Sequence, residues 1–116
     1  MSIQRINPGP RMTQAVVHGD TIYIAGQVAG DTTADIVGQT RQILAKIDAL
    51  LKEAGSDKSK LLSANIWLAN VSYYDAMNSV WDAWVTPGST PARATVGSPL
   101  AGPQYLVEIA AIAAKP

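Results

Sequence analysis

The sequence predicts an α+β fold: a mostly antiparallel sheet with two helices on one face. Three observations point there. Short segments alternate apolar and polar residues, or run apolar, between turns marked by Gly and Pro. Two longer stretches repeat their apolar residues with the helical period. These elements follow one another as strands, helix, strand, helix and two strands. The 116 residues give room for one domain, 1–116, and not for two.

Met1–Pro10 reads as a lead-in, with Ile3–Ile6 as a short edge strand and Asn7-Pro8-Gly9-Pro10 as a turn or loop. Met12–His18 follows as a strand centred on Ala15-Val16-Val17. Gly19-Asp20 is a hairpin turn, and Thr21–Ala25 is the returning strand. Ile22 and Ile24 share one face of it and Tyr23 takes the other. Gly26-Gln27 ends the strand, and a glycine there lets another group approach the backbone closely. Thr32 or Thr33 is the expected cap of the first helix. Its buried face runs through Ile36, Thr40, Ile43, Leu44, Ile47, Leu50, Leu51 and Ala54, and Gly55 stops it. Lys60–Ala69 returns to strand, with Leu62, Ala64, Ile66 and Leu68 turned toward a helix. Ser72, with Asp75 three residues on, is the expected cap of the second helix. The apolar stripe of that helix is Tyr74, Met77, Trp81, Trp84 and Val85, and Pro87-Gly88 ends it. Two strands remain, Ala92–Val96 and Tyr105–Ala114, joined across Gly97–Pro103. The second is almost continuously apolar, as suits a strand covered on both faces. The charges within these two strands are Arg93 and Glu108.

Hydrophobic residues make up 47% of the chain and charged residues 16%, against a usual charged share of about 25%. So little charge implies that other copies of the chain cover part of the surface. Lys and Arg number 9, as do Asp and Glu, so the formal net charge is zero. That argues against a nucleic-acid partner, which calls for a basic stripe. The chain has no cysteine and one histidine, so disulfides, thiolate metal sites and His-rich metal sites are not expected. No apolar run reaches the length of a membrane span, and the first residues lack a signal pattern. The expectation is a soluble, cytoplasmic protein with no membrane partner.

A charge in an apolar strand is costly to bury unless it is paired or used. Arg93 shares a face with Thr95. Its guanidinium can fork two parallel hydrogen bonds onto the carboxylate of a small molecule, or it can form a salt bridge to Glu108 or to another subunit. Glu108 lies among Leu106, Ala110 and Ile112. A carboxylate so placed suits a general acid/base that positions water, or it is satisfied by Arg93 or by backbone amides. Either way the two are expected to lie close together. Asn78 sits on the apolar face of the second helix and serves either a ligand or the core. Trp67, Trp81 and Trp84 suit core or subunit contacts better than ligand stacking. His18, beside the Gly-Asp turn, is expected to be exposed. The sequence carries no Gly-rich phosphate loop, metal-ligand spacing or Ser/His/Asp arrangement.

Gly26-Gln27 after a strand, Pro91-Ala92-Arg93, and Val107-Glu108-Ile109 followed by Ala111-Ile112-Ala113 resemble the motifs of the RidA family, also called YjgF/YER057c/UK114. Ala69-Asn70-Val71 leading into a helix with an Asn in its middle fits the same pattern. The likeness runs from Arg11 to Ala114. It implies a chorismate-mutase-like α+β fold and a homotrimer whose sheets pack into a central barrel, with ligand clefts between adjacent subunits. It also implies hydrolysis of reactive 2-imino (enamine) acids to 2-oxo acids and ammonia, without a cofactor. Such imines escape from pyridoxal-phosphate enzymes, which gives an indirect link to those proteins. By this resemblance Arg93 holds the substrate carboxylate and Glu108 positions the attacking water. Gly26 contributes a backbone contact near the imine, and Asn78 an amide lining the cleft. Met12 stands where deaminating members typically carry a tyrosine, and Thr95 where they often carry a cysteine. The segment between Gly26 and the first helix is shorter than usual. Two other functions stay open: a non-catalytic trimer that binds small carboxylates or regulates a partner, and an endoribonuclease.

Overall fold

The computed structural model describes residues 2–116; Met1, the start of the expected lead-in, lies outside them. The chain opens with three antiparallel strands paired in sequence: β1 (Ile3–Pro8), β2 (Thr13–His18) and β3 (Thr21–Gln27). Gly19 takes φ 62° in the tight turn between β2 and β3, a conformation glycine adopts without a Cβ clash. Alternation places Ala15, Val17, Ile22 and Ile24 in the core and leaves Tyr23 48% exposed on the opposite face. β1 runs past Ile6, so Asn7 and Pro8 are strand residues and not part of a turn. Pro8 is tolerated there because it closes an edge strand.

The first helix, α1, is Ile36–Glu53, and its cap is Asp35, one residue before the first apolar position. The Asp35 carboxylate accepts from Gly38 N at 2.9 Å. Thr33, one of the two expected caps, instead donates its hydroxyl to Asp31 at 2.6 Å. Asp35→Ala removes the acceptor and is expected to destabilise the fold by about 1 kcal/mol. A thermal melt followed by circular dichroism should show Tm lower by roughly 4 °C. α1 buries Ile43, Leu44, Ile47, Leu50 and Leu51 and ends at Gly55, where φ is 83°.

β4 (Leu61–Leu68) buries Ala64, Ile66 and Leu68 as its alternation predicts. At its start Leu61 is buried and Leu62 is 52% exposed, the reverse of the expectation. The register against the last strand shifts between Leu61 and Ser63, and such a slip exchanges the faces of a strand. The second helix, α2 (Tyr74–Trp84), is entered through a 3-10 turn at Val71–Tyr73. Asn70 caps that turn by accepting from Ser72 N at 2.9 Å, so Ser72 is the capped residue and not the cap. Met77 and Trp81 are buried from α2, with Val80, Trp84 and Val85 packed against them.

β5 (Ala92–Gly97) and β6 (Val107–Ala114) are not neighbours. The sheet order is β1-β2-β3-β6-β4-β5, so β4 lies between them. β6 pairs antiparallel with both β3 and β4, while β5 is parallel to β4 at the far edge. The fold is α+β, a six-stranded sheet with both helices on one face. In β6, Val107, Ile109, Ala111 and Ala113 are buried beneath the helices. Glu108, Ala110, Ile112 and Ala114 point to the other face and are half-buried. The last strand is thus covered on one face only within a single chain, not on two. Its open face continues through Tyr23, opposite Ile112, and Trp67, opposite Glu108. Among the described residues no helix is long and apolar enough to cross a membrane.

Candidate functional site

The expected site residues fall into two groups. The first gathers at the end of β3 and the start of β6, where the pairing of these strands shifts register between Ile24 and Gln27. The Glu108 side chain lies directly on the Gly26 backbone. A Cβ at Gly26 would stand 2.9 Å from Cδ of Glu108 and 3.2 Å from its Cγ. Only glycine leaves that space, which gives Gly26 a physical reason. Met12, 53% exposed, directly precedes β2. Because β2 runs antiparallel to β3, the start of β2 lies beside the end of β3. Beside Glu108 is a shallow hollow of about 220 Å³ lined by Trp67, Ser98, Pro99, Leu100 and Ala101.

Gln39, which the sequence does not single out, ties down the segment that leads into Glu108. It is fully buried on α1. Its Nε2 donates to Ala34 O at 3.2 Å and Gln104 O at 3.1 Å, and its Oε1 accepts from Leu106 N at 3.0 Å. The start of α1 is thereby tied to the segment that leads into Glu108. The signal for it is positional: Gln39 sits three residues after Ile36 and four before Ile43, on the stripe that must be buried.

The second group surrounds Arg93. Nη1 donates to Asn78 Oδ1 at 2.7 Å and Nη2 to the Tyr74 hydroxyl at 3.2 Å. The guanidinium carbon lies 5.3 Å from the Trp81 ring centre and 5.7 Å from that of Tyr74, where the negative ring faces favour a cation. A guanidinium carries five donors, so these two bonds leave others for a ligand. Thr95 shares the face of Arg93, and its Oγ1 is buried with no hydrogen-bond partner among the described residues. Tyr74, expected on the apolar stripe of α2, is instead 45% exposed, with its hydroxyl turned to Arg93. Its place one helical turn before Asn78 puts both on one face of α2.

The two groups do not meet within one chain. Arg93 lies opposite Ala64 and Glu108 opposite Trp67, on either side of β4. Ala64 and Trp67 are an odd number of residues apart, so their partners point to opposite faces of the sheet. Arg93 stands on the helix side and Glu108 on the open side. No ion pair joins them among the described residues, and the expected proximity is corrected on this point. Of the other candidates, Trp81 lies under Arg93, while Trp84 donates its indole N–H to Asp48 at 2.9 Å in the seam between the helices. His18 is exposed at the β2–β3 turn.

The chain and its six-stranded α+β fold have known counterparts. The family model described as endoribonuclease L-PSP matches residues 2–115. RutC family protein YoaB of Escherichia coli K12 is 45% identical over 114 residues, covering 98% of this chain and 99% of that protein. A RutC family protein of Haemophilus influenzae is 44% identical, with 97% and 98% covered. The crystal structure of a YjgF family member from Neisseria meningitidis superposes with a TM-score of 0.97 at 42% identity, covering 100% of this chain and 97% of that one. That of YyfA from Yersinia pestis, in the conserved Rid protein family, gives 0.82 at 34% identity, with 91% and 88% covered. The chain belongs to the YjgF/RutC/Rid family.

Proposed function

We propose that this protein hydrolyses reactive 2-imino acids to 2-oxo acids and ammonia, at a site shared between two copies in a homotrimer. The observation that carries this reading is the opposite-face placement of Arg93 and Glu108. A ligand held by both must lie between the helix side of one subunit and the open sheet face of the next. The half-exposed apolar face of β6, with Tyr23 and Ile112, supports burial against a neighbour.

One subunit contributes Arg93, held by Asn78, with Thr95 beside it; the next contributes Glu108, Gly26 and Met12. Arg93 takes the substrate carboxylate as a planar fork. This sets the imine carbon beside a water held by Glu108. The water oxygen bonds to that carbon while Glu108 receives one of its protons, giving a carbinolamine. Glu108 returns its proton to the nitrogen and takes the one on the new hydroxyl as the C=O bond forms; the C–N bond breaks, ammonia leaves and the 2-oxo acid remains. No cofactor enters this scheme. Orientation supplies most of the gain, since an iminium is already electrophilic. Imines released by pyridoxal-phosphate enzymes are the natural source of substrate. The zero net charge weighs against RNA as a substrate, despite the name of the family model.

The test generates 2-iminopropanoate from alanine with an amino-acid oxidase and traps it with semicarbazide. The protein is expected to lower the semicarbazone yield; an unchanged yield would reject hydrolysis of this imine. In the same assay Arg93→Ala and Glu108→Gln subunits are each expected to be inactive. Co-refolded in equal amounts, they should regain roughly a quarter of wild-type activity, because random mixing leaves that share of interfaces with both groups intact. Failure to regain activity would reject a site that draws Arg93 from one subunit and Glu108 from the next. Binding of 2-oxo acids without turnover would instead make the protein a carboxylate-binding module.

A further inference from the structure

We propose that the Tyr74 hydroxyl is a ligand-binding group that hydrogen-bonds the acid seated on Arg93. This inference rests on the carboxylate reading of Arg93 given above and adds a donor to it.

A guanidinium has no acceptor, so in the 3.2 Å contact between Arg93 Nη2 and Tyr74 the hydroxyl oxygen accepts. The hydroxyl proton is therefore not used by Arg93. Among the described residues no protein group accepts it. Asn78, which holds the other arm of the fork at 2.7 Å, lies deeper, whereas Tyr74 is 45% exposed at the rim. The two residues divide the work. Asn78 fixes the guanidinium from within, and Tyr74 touches it on the exposed side.

An acid arriving at Arg93 brings carboxylate oxygens that accept from charged and neutral donors alike. Tyr74 is exposed, so a small rotation about its own side-chain bonds carries its hydroxyl from Nη2 to an oxygen bound on the same nitrogen. The hydroxyl then donates where it had accepted, and Nη2 is freed for the ligand. The Tyr74 ring, 5.7 Å from the guanidinium carbon at the start, shifts with it and stays near the cation. The site thus discriminates a carboxylate from a neutral isostere with one donor more than Arg93 alone supplies.

Tyr74→Phe isolates the hydroxyl, because the ring and its packing beside Arg93 remain. Titration calorimetry on the assembled protein should give a dissociation constant for 2-oxopropanoate about tenfold weaker than wild type. The neutral 2-oxopropanamide, whose carbonyl oxygen is the weaker acceptor, should lose less, so the preference for acid over amide falls. Tm should not move, which separates this effect from damage to the fold. If Tyr74→Phe binds the acid as wild type does while Arg93→Ala does not bind it, the Tyr74 inference is wrong and the Arg93 reading stands. If wild type and Tyr74→Phe both fail to bind the acid, both ideas fall. If Tyr74→Phe weakens the acid but the protein never consumes the imine, the inference stands and the hydrolase reading fails.

Discussion

Arg93→Lys is expected to lower kcat/KM for 2-iminopropanoate by about two orders of magnitude, equivalent to roughly 2.7 kcal/mol. The charge is retained, so the loss comes from geometry. Arg93 reaches Asn78 with one arm and Tyr74 with the other, and it lies beside the rings of Trp81 and Tyr74. An ammonium cannot hold both residues while presenting two parallel donors to a carboxylate, and it is more strongly hydrated than a guanidinium. Because the carboxylate is held in ground state and transition state alike, most of the change should appear in KM. Steady-state rates with semicarbazide competition would measure it, beside a thermal melt to show the fold intact. A kcat/KM within threefold of wild type would mean that a point charge is enough and that the fork has no part in recognition.

Glu108→Gln is expected to act on the other parameter. It removes the proton acceptor and keeps the shape, so kcat should fall by at least about a hundredfold with KM little changed. Gly26→Ala tests position without touching the carboxylate. The added methyl would stand 2.9 Å from Cδ of Glu108, so the side chain must swing aside. The moving group is the flexible end of a glutamate, and stability should therefore hold within about 0.5 kcal/mol. The expected result is a loss in kcat of about tenfold, the scale of a misplaced group. Equal kcat for Gly26→Ala and wild type would show that the carboxylate has no required position.

Elements fixed by local pattern were legible in the sequence. The Gly19-Asp20 hairpin follows from its turn residues and α1 from its apolar stripe, whereas the nearly unbroken apolar run of β6 hid its one-sided burial. The helix caps were less so. Thr32, Thr33 and Asp35 are all competent acceptors near the start of α1, and backbone geometry chooses among them. Leu61 and Leu62 are chemically identical neighbours, and a register shift against a strand some fifty residues later decides which is buried. The same non-local pairing separates Arg93 from Glu108. Both charges stand out in the sequence, but their faces depend on where each strand meets β4, which no local pattern records. The roles of Gln39 and Tyr74 were hidden for a related reason. Each acts through partners far along the chain, Gln104 and Leu106 for one and Arg93 for the other.

The position of β6 bears on how the nascent chain becomes a protein. Although it follows every other element in sequence, it fills the gap between β3 and β4. During synthesis the β1–β3 meander and the β4–β5 pair emerge first as separate halves. Each has an unsatisfied backbone edge that only the final strand covers. Neither half can acquire its lasting shape until Val107–Ala114 has cleared the ribosome, and until then both edges are open to pairing with other chains.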